Sequence, residues 1–234
     1  MGRILTKEEW IRRKKRKRQA LLLLATALML AILILLALII GNLIKRIFVP
    51  AENKIESIDI TLSNGTLISK KYLTPNPYSR PQMDLKKVKG IVIHYTANPK
   101  TSAEANRSYF EGLATTKTTK ASSHFIVGIE GEIIQCIPLN EIAYASNDRN
   151  DDTISIECCH EDETGVFSQQ TYESLIALTA ELCREFDIKE KGILRHYDVN
   201  KKPCPLYYVE HEEAWNKLKE DVINVVNGST TKKE

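Results

Sequence analysis

Apolar residues run unbroken from Leu21 to Ile40, reading LLLLATALMLAILILLALII, with Thr26 the only polar side chain. At about 1.5 Å of rise per residue, such a run covers the ~30 Å hydrocarbon core of a bilayer, which predicts a transmembrane helix over 20–44. Beyond it the period changes. Val88–Thr96 alternates, with Ile91, Ile93 and Tyr95 on one face and Val92, His94 and Thr96 on the other, which predicts a strand. Thr101-Ser-Ala-Glu104 has capping-box spacing and predicts a helix to about Glu111. Ser123–Ile129 and Glu132–Pro138 read as strands joined at Glu130-Gly131, a hairpin signal. Thr153–Cys159 and Gly192–His196 read as two more strands. Tyr172, Leu175, Ile176, Thr179, Leu182, Cys183 and Phe186 recur at helical spacing, and a last helix from about Glu210 turns Trp215, Leu218, Val222 and Val225 inward. Strands interleaved with helices predict an α/β fold, a single mixed β-sheet flanked by helices, preceded by one N-terminal transmembrane helix.

The rest of the chain reads as connection. Residues 45–85 form a stalk and lead-in. Within them IESIDITLSNGTLI carries a Ser-Asn-Gly turn signal for a short hairpin. Thr74–Pro81 holds three prolines in eight residues, which predicts an extended path. The folded domain occupies 86–226, and 227–234 is a polar tail.

Charge adds a direction. The net charge of the 234 residues is +3, but seven basic residues, Arg12 to Arg18, stand directly before the apolar run. Only Lys45 and Arg46 follow it closely. The more basic flank stays inside, so residues 1–19 are expected in the cytoplasm and everything after Phe48 outside a cell membrane crossed once. The basic run also suits anionic headgroups, making membrane lipid a partner. Behind it the charges mix, with no basic stripe or stacking aromatics, so nucleic acid is not an expected partner. A cleaved signal peptide is the rival reading, but its apolar region is usually about 7–15 residues and ends at a small-x-small site. Here the run leads into Gly41-Asn-Leu-Ile-Lys-Arg46. The five cysteines, Cys136, Cys158, Cys159, Cys183 and Cys204, are odd in number, so at least one stands outside any internal disulfide.

Two features suggest chemistry: His94 at a strand end, and His196-Tyr-Asp-Val-Asn-Lys-Lys-Pro-Cys204. A hydrolytic zinc needs three protein ligands and one open position, which two ligands from one segment and one from a distant strand would supply. Taken alone, His94 is equally a hydrogen-bonded strand histidine. Glu157 lies on the Thr153/Ser155 face of its strand, where a carboxylate is costly unless paired or functional. It reads as a proton acceptor beside a metal or as a salt-bridge partner in the sheet. A cysteine nucleophile at Cys204 is a rival, but prolines on both sides argue against a helix-start thiolate.

The motifs GIVIHYTA, SSHFIVG-x-x-G-x-IIQCIPLNE, TISIECC and RHYDVNKKPCP together resemble the zinc N-acetylmuramoyl-L-alanine amidases of Gram-positive bacteria and their phages. These share a fold with phage T7 lysozyme and the peptidoglycan recognition proteins. The resemblance spans about Tyr72 to Val226. It implies that 86–226 is a catalytic domain, with Zn2+ as cofactor and peptidoglycan as substrate. It makes His94, His196 and Cys204 the metal ligands, Glu157 the base and Lys202 a stabiliser of the oxyanion. Two departures stand out. Some members carry a catalytic tyrosine just before the position of His124, where this chain has Ser123. Many have Trp-His-Ala-Gly where this chain has Ala143-Tyr-Ala-Ser146, which puts Tyr144 in place of a histidine. His124 and Tyr144 are candidate substrate contacts, with a satisfied strand histidine the alternative for His124. His160 and His211 sit among charges and are expected to be solvated. Peptidoglycan recognition proteins lacking the cysteine bind muropeptides without cutting them, so a binding module is the alternative function.

Overall fold

The computed structural model describes residues 7–48, 59–62 and 65–228, in two compact units split between Glu52 and Asn53. The first unit is dominated by helix α1, Lys7–Phe48. The stretch Arg13–Ile40 within it is long and apolar enough to cross a membrane by length and composition, and its side chains are exposed. The helix continues through the basic run, where charged side chains with good helix propensity give no reason to stop.

The second unit is one six-stranded sheet with helices on both faces. Its strands are β1 (Ile68–Lys70), β2 (Gly90–Tyr95), β3 (Phe125–Val127), β4 (Ile133–Gln135), β5 (Thr153–Cys158) and β6 (Ile193–Arg195), in the order β1-β4-β3-β5-β2-β6. Among the described residues only β3 and β4 pair antiparallel; the other neighbouring strands are parallel. The antiparallel pair follows from its tight turn. Gly131 adopts φ +83°, and a Cβ there would lie 2.9 Å from Ser174 Oγ, so only glycine fits easily.

Period-2 alternation sorts the strand side chains onto two cores. On one face Ile91, Ile93, Phe125, Val127, Ile154 and Ile156 meet α3 (Gln169–Phe186) and α6 (Glu212–Val226), which contribute Leu175, Leu178, Leu182, Trp215, Leu218 and Val222. Each large side chain buried here contributes roughly 1.5–3 kcal/mol. The α3 ends are marked locally. Ser168 Oγ accepts the Thr171 N–H at the start, and left-handed Asp187 closes the helix with its N–H on Cys183 O. On the other face α2 (Ala103–Thr116) packs on β3 and β4 through Ala103, Phe110 and Leu113, against Ile126, Ile134 and Ile137. The same face of β2 and β5 carries His94, Ser155 and Glu157 instead of a continuous apolar surface.

Three expectations change. The α2 cap is Ser102, whose Oγ accepts the Ala105 N–H, and the helix runs on to Thr116. Thr74–Pro81 is not extended: Asn76 Oδ1 accepts the N–H groups of Tyr78 and Ser79, folding a turn closed by an Asn76–Arg80 bridge. Of the hairpin expected between Ile55 and Ile68, residues 55–58, 63 and 64 lie outside the described residues, and Ile68–Lys70 instead joins β4 as a parallel edge strand. Most of the polar tail, 229–234, is likewise outside them. Two short helices complete the unit, α4 (His196–Asn200) and α5 (Leu206–Glu210).

Candidate metal centre

Because β2, β5 and β6 are mutually parallel, their carboxyl ends share one edge of the sheet, where open α/β sheets commonly bind ligands. His94 is the penultimate residue of β2 and stands in register with Glu157 of β5. β6 ends at Arg195, whose N–H donates to Asp198 Oδ2 at 2.8 Å, so the chain turns into α4 with His196 as its first residue. Lys201 ends α4 at φ +67°, and the loop doubles back until Cys204 O accepts the Tyr197 N–H at 3.0 Å. Cys204 is thereby brought beside His94.

The ligand atoms of His94, His196 and Cys204 lie within 4.8 Å of one another, and all three residues are buried. Cys204 Sγ is 3.9 Å from His94 Nδ1, and the two imidazoles meet edge to face with centroids 4.7 Å apart. Each histidine has its Nε2 occupied: His94 by Ser146 Oγ at 3.4 Å and His196 by Asn147 Oδ1 at 2.8 Å. His196 Nδ1 is buried with no hydrogen-bond partner. An orphaned buried ring nitrogen is costly unless something occupies its lone pair. Two imidazole nitrogens and one thiol suit Zn2+, and three protein donors leave a fourth position open. The residues therefore fit the metal that the resemblance implies.

The electrostatics agree at the two histidines. Burial lowers the pKa of His94 well below the usual range, helped by His196 and Lys202, and lowers that of His196 to about 4. Both are neutral, as ligands must be, at physiological pH. Burial pushes the Cys204 thiol up to about 12 and the Glu157 carboxyl up to about 8, while the Lys202 charge pulls each down. Glu157 is partly accessible, yet its Oε2 is buried without a partner, and among the described residues it forms none of the salt bridges considered for it. Lys202 is exposed on the loop between His196 and Cys204, and its charge is felt at both histidines.

The remaining candidates separate. His124 is buried with both nitrogens engaged. The Ser155 N–H donates to Nδ1 at 3.1 Å, so Nε2 carries the proton and donates to Glu141 O at 2.9 Å. That geometry leaves no ring nitrogen for a substrate. Tyr144 is half-buried, with Lys120 Nζ 5.3 Å from its ring centre and its backbone tied to Ser122. His160 is not solvated: it is buried against Tyr95, and its Nδ1–H donates to Asp162 O. His211 is half-buried and stacked on Tyr207. All five cysteines are free and buried. Ser146, Asn147 and Asn200 also touch the site, and nothing in their sequence spacing marks them, because the loop around Asn147 meets α4 only in three dimensions.

Residues 84–206 match the family model for N-acetylmuramoyl-L-alanine amidase. The curated relatives include N-acetylmuramoyl-L-alanine amidase CwlL of Bacillus licheniformis, 34% identical over 179 residues covering 71% of this chain and 49% of that protein. N-acetylmuramoyl-L-alanine amidase BlyA of Bacillus subtilis is 32% identical, covering 72% of this chain and 50% of that protein. The chain thus spans about half the length of the curated relatives it matches. Among solved structures, a mutant endolysin from Bacillus subtilis superimposes with TM-score 0.57 at 27% identity, covering 67% of this chain and 99% of that one. The PlyG catalytic domain shares the fold with TM-score 0.59 at 24% identity, covering 72% of this chain and 99% of that one.

Proposed function

Since the chain belongs to the N-acetylmuramoyl-L-alanine amidase family, we propose that it hydrolyses the amide bond between the lactyl group of N-acetylmuramic acid and L-alanine in bacterial peptidoglycan. The observation that carries the reading is the convergence of His94, His196 and Cys204 with an unpaired Glu157 beside them. A Zn2+ held by those three residues would supply Lewis acidity and make water a nucleophile at neutral pH. Glu157 takes the proton of the attacking water, a task that suits a carboxyl with raised pKa and a free oxygen. It then returns that proton to the departing L-alanine nitrogen. Lys202 offers a fixed positive charge to the oxygen on which negative charge develops. Tyr144, half-buried and two residues before Ser146, is the remaining candidate for substrate contact.

The apolar helix supports a single-pass anchor with residues 1–19 in the cytoplasm and the amidase unit outside. The function is tested by mass spectrometry of purified wall digested by the detergent-solubilised chain. New free amino termini on L-alanine are expected, abolished by chelator and restored by zinc. Cleavage between sugars or within the stem peptide, with those termini absent, would overturn the assignment.

A further inference from the structure

The three ligands need more than proximity. A neutral imidazole carries one proton, and a histidine can face a metal only through the nitrogen that lacks it. At His196 the tautomer follows from a chain of contacts that begins at a group with no choice. The Lys202 backbone N–H can only donate, and it donates to Asn200 Oδ1 at 3.0 Å. That contact fixes which way the Asn200 amide points, so its Nδ2 faces Asn147 and donates to Asn147 Oδ1 at 2.8 Å. Asn147 therefore presents oxygen, and the same atom lies 2.8 Å from His196 Nε2. An oxygen acceptor requires a proton on Nε2, which leaves Nδ1 bare. His196 Nδ1 is indeed buried and without a hydrogen-bond partner.

The turn that carries Asn147 is held for this. Asn147 sits at φ +50°, a left-handed conformation that asparagine tolerates better than most residues. Asn150 Oδ1 accepts the N–H groups of Ala145 and Ser146, which pins the preceding backbone. Ser146 then places its hydroxyl 3.4 Å from His94 Nε2. A hydroxyl donates or accepts, so Ser146 steers the His94 ring without fixing its tautomer; only the asparagine relay has polarity.

We propose that an oriented hydrogen-bond relay, from the Lys202 backbone N–H through Asn200 and Asn147, fixes the His196 tautomer that presents a bare Nδ1 to a metal ion. Asn147 and Asn200 are positioning residues. The relay also ties the loop bearing Lys202 to the ligand it serves. The proposal rests on the metal-site reading above, but its first readout does not need the metal.

The test is long-range 1H–15N correlation of the imidazoles in the metal-free, detergent-solubilised chain near pH 8, beside zinc affinity from chelator competition. The unsubstituted chain is expected to show His196 protonated at Nε2. Asn147→Asp keeps an acceptor at that site and should retain this tautomer. Asn147→Gly relieves the left-handed backbone but removes the oxygen, so the preference should be lost and zinc bound roughly 10–100-fold more weakly. Asn200→Asp still accepts the Lys202 N–H but turns an acceptor toward Asn147. The Asn147 amide must then flip, and the His196 proton is expected to move to Nδ1. Protonation at Nδ1 in the unsubstituted chain would overturn the relay, as would Asn147→Gly and Asn200→Asp that leave tautomer and affinity unchanged. The expected tautomer in a chain that binds no zinc would instead remove the metal-site reading and leave the relay intact.

Discussion

The roles proposed for Glu157 and Lys202, proton acceptor and fixed positive charge, are separated by substitution. Glu157→Gln keeps the shape of the side chain but cannot accept a proton, so zinc content should be near normal while kcat falls about 10²–10⁴-fold. Lys202→Ala should also keep zinc and lose roughly 10²–10³ in kcat. A pH profile tells them apart. With Glu157 as the proposed base, activity should rise with pH through that pKa, and only Glu157→Gln should abolish this acidic limb. Burial, partly offset by the Lys202 charge, places the carboxyl at about 8. A bound dication favours the charged form, so the limb of the zinc enzyme should lie below that value. Near-normal turnover of Glu157→Gln would leave the proton acceptor elsewhere. His124 gives a second pH signature. Desolvation lowers its pKa to about 4 against an ordinary 6.5, so between those values the unfolded chain binds the extra proton and the folded one does not. Its contribution to stability is full above 6.5, is lost as pH falls toward 4, and is flat below. Denaturation midpoints of His124→Gln across that window should show a shallower acid-side slope than the parent; equal slopes would place the titration on other groups.

At the scale of elements, the centre depends on how β6 hands over to α4. Arg195 is buried there, with Nη2 on Asp198 Oδ1, and Nη1 on both Tyr208 O and Glu212 Oε2. One side chain thus holds the starts of α4 and α6 and the middle of α5. Arg195→Met keeps the stem but leaves Asp198 with only its backbone donor and the Tyr208 carbonyl without this one, and removing one partner of a buried polar group costs about 1–3 kcal/mol. Urea unfolding should show that loss with zinc affinity reduced as well; an unchanged midpoint would mean the junction is held by its backbone alone. This junction also shows what the sequence could reveal. β2 and β5 were legible because six residues of alternation separate an Ile-rich face from one bearing His94 or Glu157. α3 was legible from its long apolar stripe. The five-residue helices α4 and α5 are too short to display a period, and three-residue β1 shows no alternation. His94, Glu157 and His196 were legible as chemical types at strand ends. Their meeting was not, because parallel pairing joins residues a hundred positions apart. The roles of Ser146, Asn147 and Asn200 exist only once that pairing has formed.

At the scale of the whole molecule, a 42-residue helix and a domain carrying the family match serve different ends. The domain buries its own apolar residues in two cores, whereas the apolar side chains of Arg13–Ile40 remain exposed. An exposed apolar surface of that length needs a bilayer or another covering in water. Held by such a helix, the domain would reach only wall close to the membrane, which restricts where cutting can occur. Apolar burial and surface charge predict different behaviour on extraction. If the seven basic residues at 12–18 supplied the attachment, about 1 M salt, with a Debye length of roughly 3 Å, would release the protein. Attachment through the helix resists salt and yields only to detergent, and that is the expected outcome in fractionated cells. Protease added outside should remove the domain and spare a fragment carrying residues 1–19. A soluble mature domain whose N-terminus lies near residue 45 would show instead that the apolar run is cleaved as a signal, leaving the amidase free to diffuse through the wall.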